Sequence, residues 1–263
     1  MSAASYLAKD GWEVIVLEKH STAGGRARKY TEAGFTFDMG PSWYWMPDVF
    51  ERYFHNYNRK VSDYYQLTRL DPSYRVYWQQ NKMDVPADYT KLRELFESLE
   101  KGAAVKLDDF LKEAAFKYKV GINKLVLKPG RSLTEFLDLD LAKGLLKLDV
   151  FTSMKKHVSK YFAHPQLRFL MEFPVLFLGA LPADTPALYS LMNYADIKLG
   201  TWFPKGGMYA IVDGMEKLAT ELGVKFVCDQ DAVSIDVVEG KAASVTARST
   251  KGDAGEAKTV YNA

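Results

Sequence analysis

Trp12-Glu13-Val14-Ile15-Val16-Leu17-Glu18 is the stretch that decides the fold. It is a run of strand formers that closes on an acid. Ahead of it, Ser2–Asp10 reads as a short helix with Ala3, Ala4, Leu7 and Ala8 on or near one face. Gly11 then ends that helix, since glycine takes positive φ without a Cβ penalty. Helix, glycine, buried strand and terminal acid make up the second half of a βαβ unit. In a dinucleotide-binding unit, the acid there accepts hydrogen bonds from both hydroxyls of a ribose. A glycine-rich turn should precede such a helix and bring its N-terminus to a pyrophosphate. Here the helix begins almost at Met1. From these residues alone the stretch is either ordinary α/β structure or a nucleotide domain whose first strand and turn lie outside this sequence. The second case leaves an unpaired edge in a parallel sheet.

Downstream, Ala23-Gly24-Gly25-Arg26-Ala27-Arg28 combines two glycines, which let backbone approach a ligand, with arginines able to neutralise phosphate. Gly34-Phe35-Thr36-Phe37-Asp38-Met39-Gly40-Pro41-Ser42 reads as a short strand running into a tight turn. Taken singly, these are a solvent loop and a common turn. In this order and spacing, both bland readings lose ground.

Composition narrows the class. The chain has 263 residues, 35 Lys+Arg against 33 Asp+Glu and a formal charge of +2, so nothing in its balance calls for nucleic acid. A single cysteine, Cys228, excludes an internal disulfide framework and a cysteine-based zinc site. His20, His55, His157 and His164 show no compact metal spacing, so no metal site is expected. No apolar run reaches the ~18 residues of a spanning helix, and the first residues lack signal-peptide character. The default is a soluble or peripherally bound intracellular protein of one or two domains. One excess stands out: 14 of the 36 aromatics fall between Phe35 and Trp78, which suits either a core or a site for a bulky apolar ligand.

Glu18-Lys19-His20, followed by Gly24-Gly25-Arg26 and then Phe35-x-Phe37-Asp38-x-Gly40-Pro41, resembles the FAD-dependent phytoene desaturase family of bacterial type, within the flavin amine oxidase-like group. Leu199-Gly-Thr-Trp-Phe-Pro-Lys-Gly-Gly-Met208, running on to Ala219, and Met46–Phe50 with Asp63–Leu67 and Leu70–Arg75 carry the same likeness nearly end to end. The resemblance implies an α/β fold: a Rossmann-like FAD-binding domain, incomplete here, with an inserted, largely helical α+β domain for substrate and membrane. The expected division is 1–70 with 200–263 for FAD and 71–199 for substrate. It also implies a longer parent chain, with a Gly-rich turn before Ser2 and a further segment beyond Ala263. By the family's pattern Glu18, with Lys19 beside it, binds the AMP ribose. Gly24, Gly25 and Arg26 line the flavin or pyrophosphate path, Gly40, Pro41 and Ser42 lie near the isoalloxazine, and Val233 lies near the adenine.

The implied reaction is desaturation of a long polyene, phytoene toward lycopene. Another polyene reaction (later desaturation, saturation or isomerisation) and a non-catalytic fragment are the alternatives. A flavin carries the hard chemistry itself, so no catalytic residue is nominated. Asp38 is expected to fix its turn through backbone amides rather than act as a base. In the middle of the chain, Tyr74–Gln79 and Met83–Val85 read as a hairpin, and 88–101 and 107–120 as packing helices. Leu145, Leu148, Phe151, Met154, Val158 and Phe162 form one stripe with lysines around it. That is either a core-facing helix or a basic amphipathic helix at a membrane interface. Phe173–Pro182, apolar and broken by prolines, lines a tunnel or dips into a leaflet. The family's hydrocarbon substrate favours peripheral contact at the inner face of the membrane, on the cytoplasmic side. Residues 208–222 read as a helix, Val224–Cys228 as a strand, and Ala232–Val238 with Ala242–Arg248 as a hairpin, with Ser249–Lys258 an exposed loop.

Overall fold

The computed structural model describes residues 1–78, 81–122, 126, 128, 131–132, 148–251 and 258–262. Its elements begin α1 (Ser2–Lys9), β1 (Ile15–Leu17), β2 (Arg28–Glu32), β3 (Phe35–Met39), α2 (Pro47–His55), β4 (Leu67–Arg69), β5 (Tyr74–Tyr77), β6 (Lys82–Val85), α3 (Tyr89–Leu99) and α4 (Ala103–Val120). They continue with α5 (Met154–Tyr161), α6 (Pro165–Glu172), α7 (Leu191–Tyr194), β7 (Trp202–Pro204), α8 (Ala210–Glu221), β8 (Lys225–Val227), β9 (Gln230–Val238), β10 (Lys241–Ser249) and β11 (Lys258–Asn262). The chain divides into one unit of residues 1–44, 48–68 and 203–263 and a second of 45–47 and 69–202.

In the first unit, β1 pairs in parallel with β8, Ile15 opposite Lys225 and Leu17 opposite Val227. Among the described residues, β1 has no strand on its other edge. Gly11 takes φ +92 and turns the chain from α1 into β1. The strand is shorter than the apolar run and less buried than expected: Trp12 stands outside it with 68% of its surface exposed, and Ile15 at its start is 43% exposed. Ala4 of α1 and Ala219 of α8 pack with Val224, Val14, Val16 and Phe226 into a small core. Small residues at 4 and 219 let helix backbone approach strand closely. β2 and β3 form a hairpin whose turn, Ala33 at φ +50 and Gly34 at φ +83, has the double positive φ that matches strand twist. β9, β10 and β11 make a three-stranded antiparallel sheet. Much of the aromatic excess is core here: Tyr44, Tyr53, Phe54, Tyr57 and Tyr65 are all buried.

The second unit is organised around Leu92 and Phe96 of α3, Leu107, Phe110 and Leu111 of α4, Met154 and Val158 of α5, and Leu167, Leu170 and Met171 of α6. These recur at helical spacing, so each helix turns one apolar face inward. Asp88 caps α3 through Lys91 N–H at 2.9 Å, and the Glu100 carboxylate accepts from Ala163 N–H and His164 N–H, both at 2.8 Å.

The single helix expected across 145–162 is not formed. Leu145 lies outside the described residues. The chain turns at 148–150 with Asp149 at φ +51, Phe151 is 97% exposed, and α5 starts only after Ser153, whose Oγ accepts from Lys156 N–H at 3.3 Å. Most of the stripe is core, with Leu148, Met154, Val158 and Phe162 buried. Most of the expected 249–258 loop also lies outside the described residues.

Asp196 is buried at the start of the π-helical turn Ala195–Leu199 that continues α7. Its oxygens accept from Tyr74 Oη and Thr201 Oγ1, both at 2.8 Å, and Thr201 Oγ1 also accepts from Trp45 Nε1 at 2.7 Å. Burial pushes the carboxyl from its ordinary 3.8 up to about 6, against the lowering effect of the two hydroxyls. The folded state therefore holds the proton more tightly than the unfolded chain, and stability falls as pH rises from about 4 through about 6. Asp196→Asn is expected to raise stability by up to about 3 kcal/mol at pH 7.5 and to change it little at pH 4. Urea unfolding at the two pH values checks this; equal effects at both would refute the assignment.

Candidate functional site

The first unit carries a cavity of about 480 Å³ that opens to solvent. One side is the C-terminal end of the parallel pair, with Val16, Glu18 and Phe226. A second side is the loop of Ala23, Gly24, Gly25 and Ala27, and a third is the face of Met208, Ile211, Val212 and Met215 at and before the first turns of α8. Pro41, Trp43, Tyr44 and Phe50 complete the wall, with Met1 and Ser2 at the start of α1. Ligands of open parallel sheets bind in this position, outside the carboxyl ends of the strands.

Glu18 is set by the strand pair itself. Its N–H donates to Val227 O at 3.0 Å and its carbonyl accepts from Gln230 N–H at 2.8 Å, while Oε1 accepts from His20 N–H at 2.8 Å. Gly24 has φ +135 and Gly25 φ +55. A Cβ on Gly24 would lie 3.1 Å from Ala27 O and 3.3 Å from the Tyr209 ring, so the loop closes against α8 only without a side chain there. Tyr209 holds it from the other direction: its hydroxyl donates to Ala23 O at 2.8 Å, and Lys29 Nζ lies 4.1 Å from its ring centroid.

Asp38 is a clasp. Its carboxylate accepts from Met208 N–H at 2.8 Å and Tyr209 N–H at 3.0 Å, at the N-terminal end of α8. The expected structural role therefore takes another form, with the amides belonging to a segment 170 residues away and not to its own turn. The carboxylate also meets the positive end of the helix dipole. Tyr44 stacks on Phe50 at 4.7 Å, and its hydroxyl bonds that of Tyr65 at 3.0 Å. Burial holds the Tyr44 phenol well above the usual tyrosine range, and burial likewise pushes the half-buried Cys228 thiol up, away from thiolate chemistry.

Of the residues predicted from sequence, Glu18, Gly24, Gly25 and Pro41 line the cavity together. Lys19, Arg26, Gly40 and Ser42 sit in the adjoining loops and do not line it, and Val233 lies on β9 with 44% of its surface exposed. The sequence places Met208, Ile211, Val212 and Met215 within the helix read over 208–222 and assigns them no site, yet all four line the cavity. The signal was present, since an apolar helix face needs a partner and the cavity is part of that partner.

Residues 1–260 match the family model described as flavin containing amine oxidoreductase. The chain is 41% identical over 237 residues to a carotenoid 3,4-desaturase of Haloarcula japonica, covering 89% of this chain and 48% of that protein. It is 34% identical over 228 residues to a zeta-carotene-forming phytoene desaturase of Myxococcus xanthus, covering 86% and 44%. A solved oxidoreductase from Methanosarcina mazei superposes with a TM-score of 0.54 at 18% identity, over 100% of this chain and 54% of that one, a likeness of fold alone. The chain spans about half the length of the curated relatives it matches.

The residues lining the cavity fit a flavin nucleotide. A carboxylate stands at a strand end, a glycine pair with positive φ forms a close-approach loop, and the remaining wall is apolar.

Proposed function

The chain belongs to the flavin containing amine oxidoreductase family, and on that premise we propose that it is the cofactor-holding and substrate-facing part of a carotenoid desaturase. The observation that carries the reading is the cavity in which Glu18, Gly24, Gly25 and Pro41 meet. FAD bound there supplies hydride acceptance as a proton leaves the neighbouring carbon, turning a CH–CH bond of a polyene into a C=C bond. The chain's own residues bind and shield. Glu18 accepts from ribose hydroxyls, the Gly24–Gly25 backbone admits the phosphate path, and the wall from Met208 to Met215 excludes water. Arg26, Lys19, Gly40 and Ser42 act from the adjoining loops, and Val233 contacts the adenine through its backbone.

For the substrate, phytoene desaturation toward lycopene is one reading. The greater identity to a relative named carotenoid 3,4-desaturase favours a second, a later and more conjugated carotenoid. Protein from the complete reading frame, supplied in parallel with phytoene and with lycopene and followed by pigment chromatography, separates them. Conversion of only lycopene selects the second reading, and conversion of neither overturns both.

A polyene substrate resides in lipid, and the second unit carries a surface suited to it. Phe151 and Leu181 are 97% and 63% exposed. Ser153, Lys155, Lys156, Ser159 and Lys160 border a groove with Ala183 beside them. Among the described residues no helix is long and apolar enough to cross a membrane, so contact here is peripheral docking. Changing Lys155, Lys156 and Lys160 to Glu is expected to abolish co-sedimentation with anionic vesicles, at about 1 kcal/mol or more per lysine. Unchanged co-sedimentation would remove this surface from the account.

A further inference from the structure

We propose that Tyr65 is a positioning residue that sets the width of the cavity beside Glu18, although it does not line that cavity itself. The inference rests on the flavin reading and lies wholly within the first unit. Tyr44 and Phe50 line the cavity, with their rings stacked at 4.7 Å. The Tyr44 hydroxyl meets that of Tyr65 at 3.0 Å, and the two rings lie edge-on at 6.2 Å. Tyr44 is 1% exposed and Tyr65 6%, so the bond satisfies two phenols that folding has taken out of water.

Tyr65 also touches the helix that supplies another part of the wall. A Cβ built on Gly214 of α8 would lie 2.9 Å from Tyr65 Cδ1, 3.1 Å from Tyr65 Cε1 and 3.1 Å from Tyr64 Cβ. Gly214 sits inside the helix without a positive φ, so space and not backbone conformation calls for glycine there. A glycine in that position weakens a helix relative to alanine, and what it admits is the Tyr65 ring. Val212 and Met215 of the same helix line the cavity. Phe54, fully buried, packs edge-on against Tyr65 at 6.1 Å and leaves the ring little room to retreat. One side chain thus joins the Tyr44 part of the wall to the α8 part. Their spacing matters because a gap of ~0.5–1 Å forfeits roughly a quarter to a half of a contact's attraction. A planar ring system makes such contacts over a whole face, so small changes in spacing appear as affinity.

FAD titration of the purified chain and its variants tests this, with the visible absorption band of the bound flavin as a second readout. Gly214→Ala drives a methyl group against the Tyr65 ring and is expected to weaken binding by about tenfold or more. Tyr65→Phe keeps the ring but releases the Tyr44 hydroxyl. It is expected to weaken binding about three- to tenfold and to shift the absorption band. The band reports the surroundings of flavin already bound, so a merely less stable protein does not move it. Leucine in place of Tyr65 makes room for the methyl group, so Gly214→Ala combined with Tyr65→Leu is expected to bind as Tyr65→Leu does alone. Tyr65→Phe is the conservative change and keeps the test decisive if Gly214→Ala fails to fold. Equal affinity and identical spectra in wild type and Tyr65→Phe, or losses that simply add in the double variant, would overturn the proposal and leave the flavin reading standing. A wild type that binds no FAD overturns the flavin reading and the proposal with it.

Discussion

Gly40→Ala is expected to cost about 4 kcal/mol or more and to abolish folding of the first unit. Gly40 takes φ +148, and a Cβ built there would lie 2.0 Å from Arg26 O and 3.2 Å from the Arg26 carbonyl carbon. The obstacle is backbone, which cannot rotate aside as a flexible side chain does. Relief requires moving the 24–28 loop away from the end of β3, and with it Gly24 and Gly25 of the cavity wall. Gly34→Ala is the control: its φ is +83, yet nothing lies within 4 Å of the added carbon. It carries the conformational cost alone, about 1 kcal/mol. Thermal and urea unfolding of both variants check the pair. Equal losses would mean that the approach of Arg26 to Gly40 is not what makes glycine necessary.

The second large effect belongs to Asp38. Asp38→Ala leaves Met208 N–H and Tyr209 N–H without their carboxylate and removes a negative charge from the N-terminal end of α8. A hydrogen bond to a charged group contributes about 1.5–3 kcal/mol, and partial solvent access lowers the total here to about 3 kcal/mol. Asp38→Asn keeps one acceptor oxygen and is expected to lose about half as much. If Asp38 were instead a base in the chemistry, both variants would stop turnover with stability intact. Unfolding and turnover measured on the same two variants therefore decide the role.

Much of the first unit was legible because its signals are local. Helix, Gly11, strand and Glu18 follow one another without a break between Ser2 and Glu18, and the parallel partner Lys225–Val227 follows its own amphipathic helix. The glycine loop could be found because glycine marks a backbone requirement directly. The Asp38 clasp was hidden, since an acid in a turn gives no sign of amides 170 residues away. The 145–162 stripe misled for another reason. Its apolar period is that of a helix, but the Ser153 cap and the left-handed Asp149 interrupt it, and Phe151 falls outside the buried face. The meeting of Lys117 and His157 depends on how α4 and α5 pack, which composition does not encode.

The central claim, that the cavity beside Glu18 holds a flavin nucleotide, is tested most directly by titrating the chain with FAD and following flavin fluorescence in the wild type and Glu18→Ala. The account predicts saturable binding by the wild type and affinity ten- to a hundredfold weaker in Glu18→Ala, because a carboxylate bonded to the ribose is lost, with stability lowered by no more than the about 1 kcal/mol of the exposed His20 N–H bond. No saturable binding by the wild type, or equal affinity in the two proteins, would contradict it.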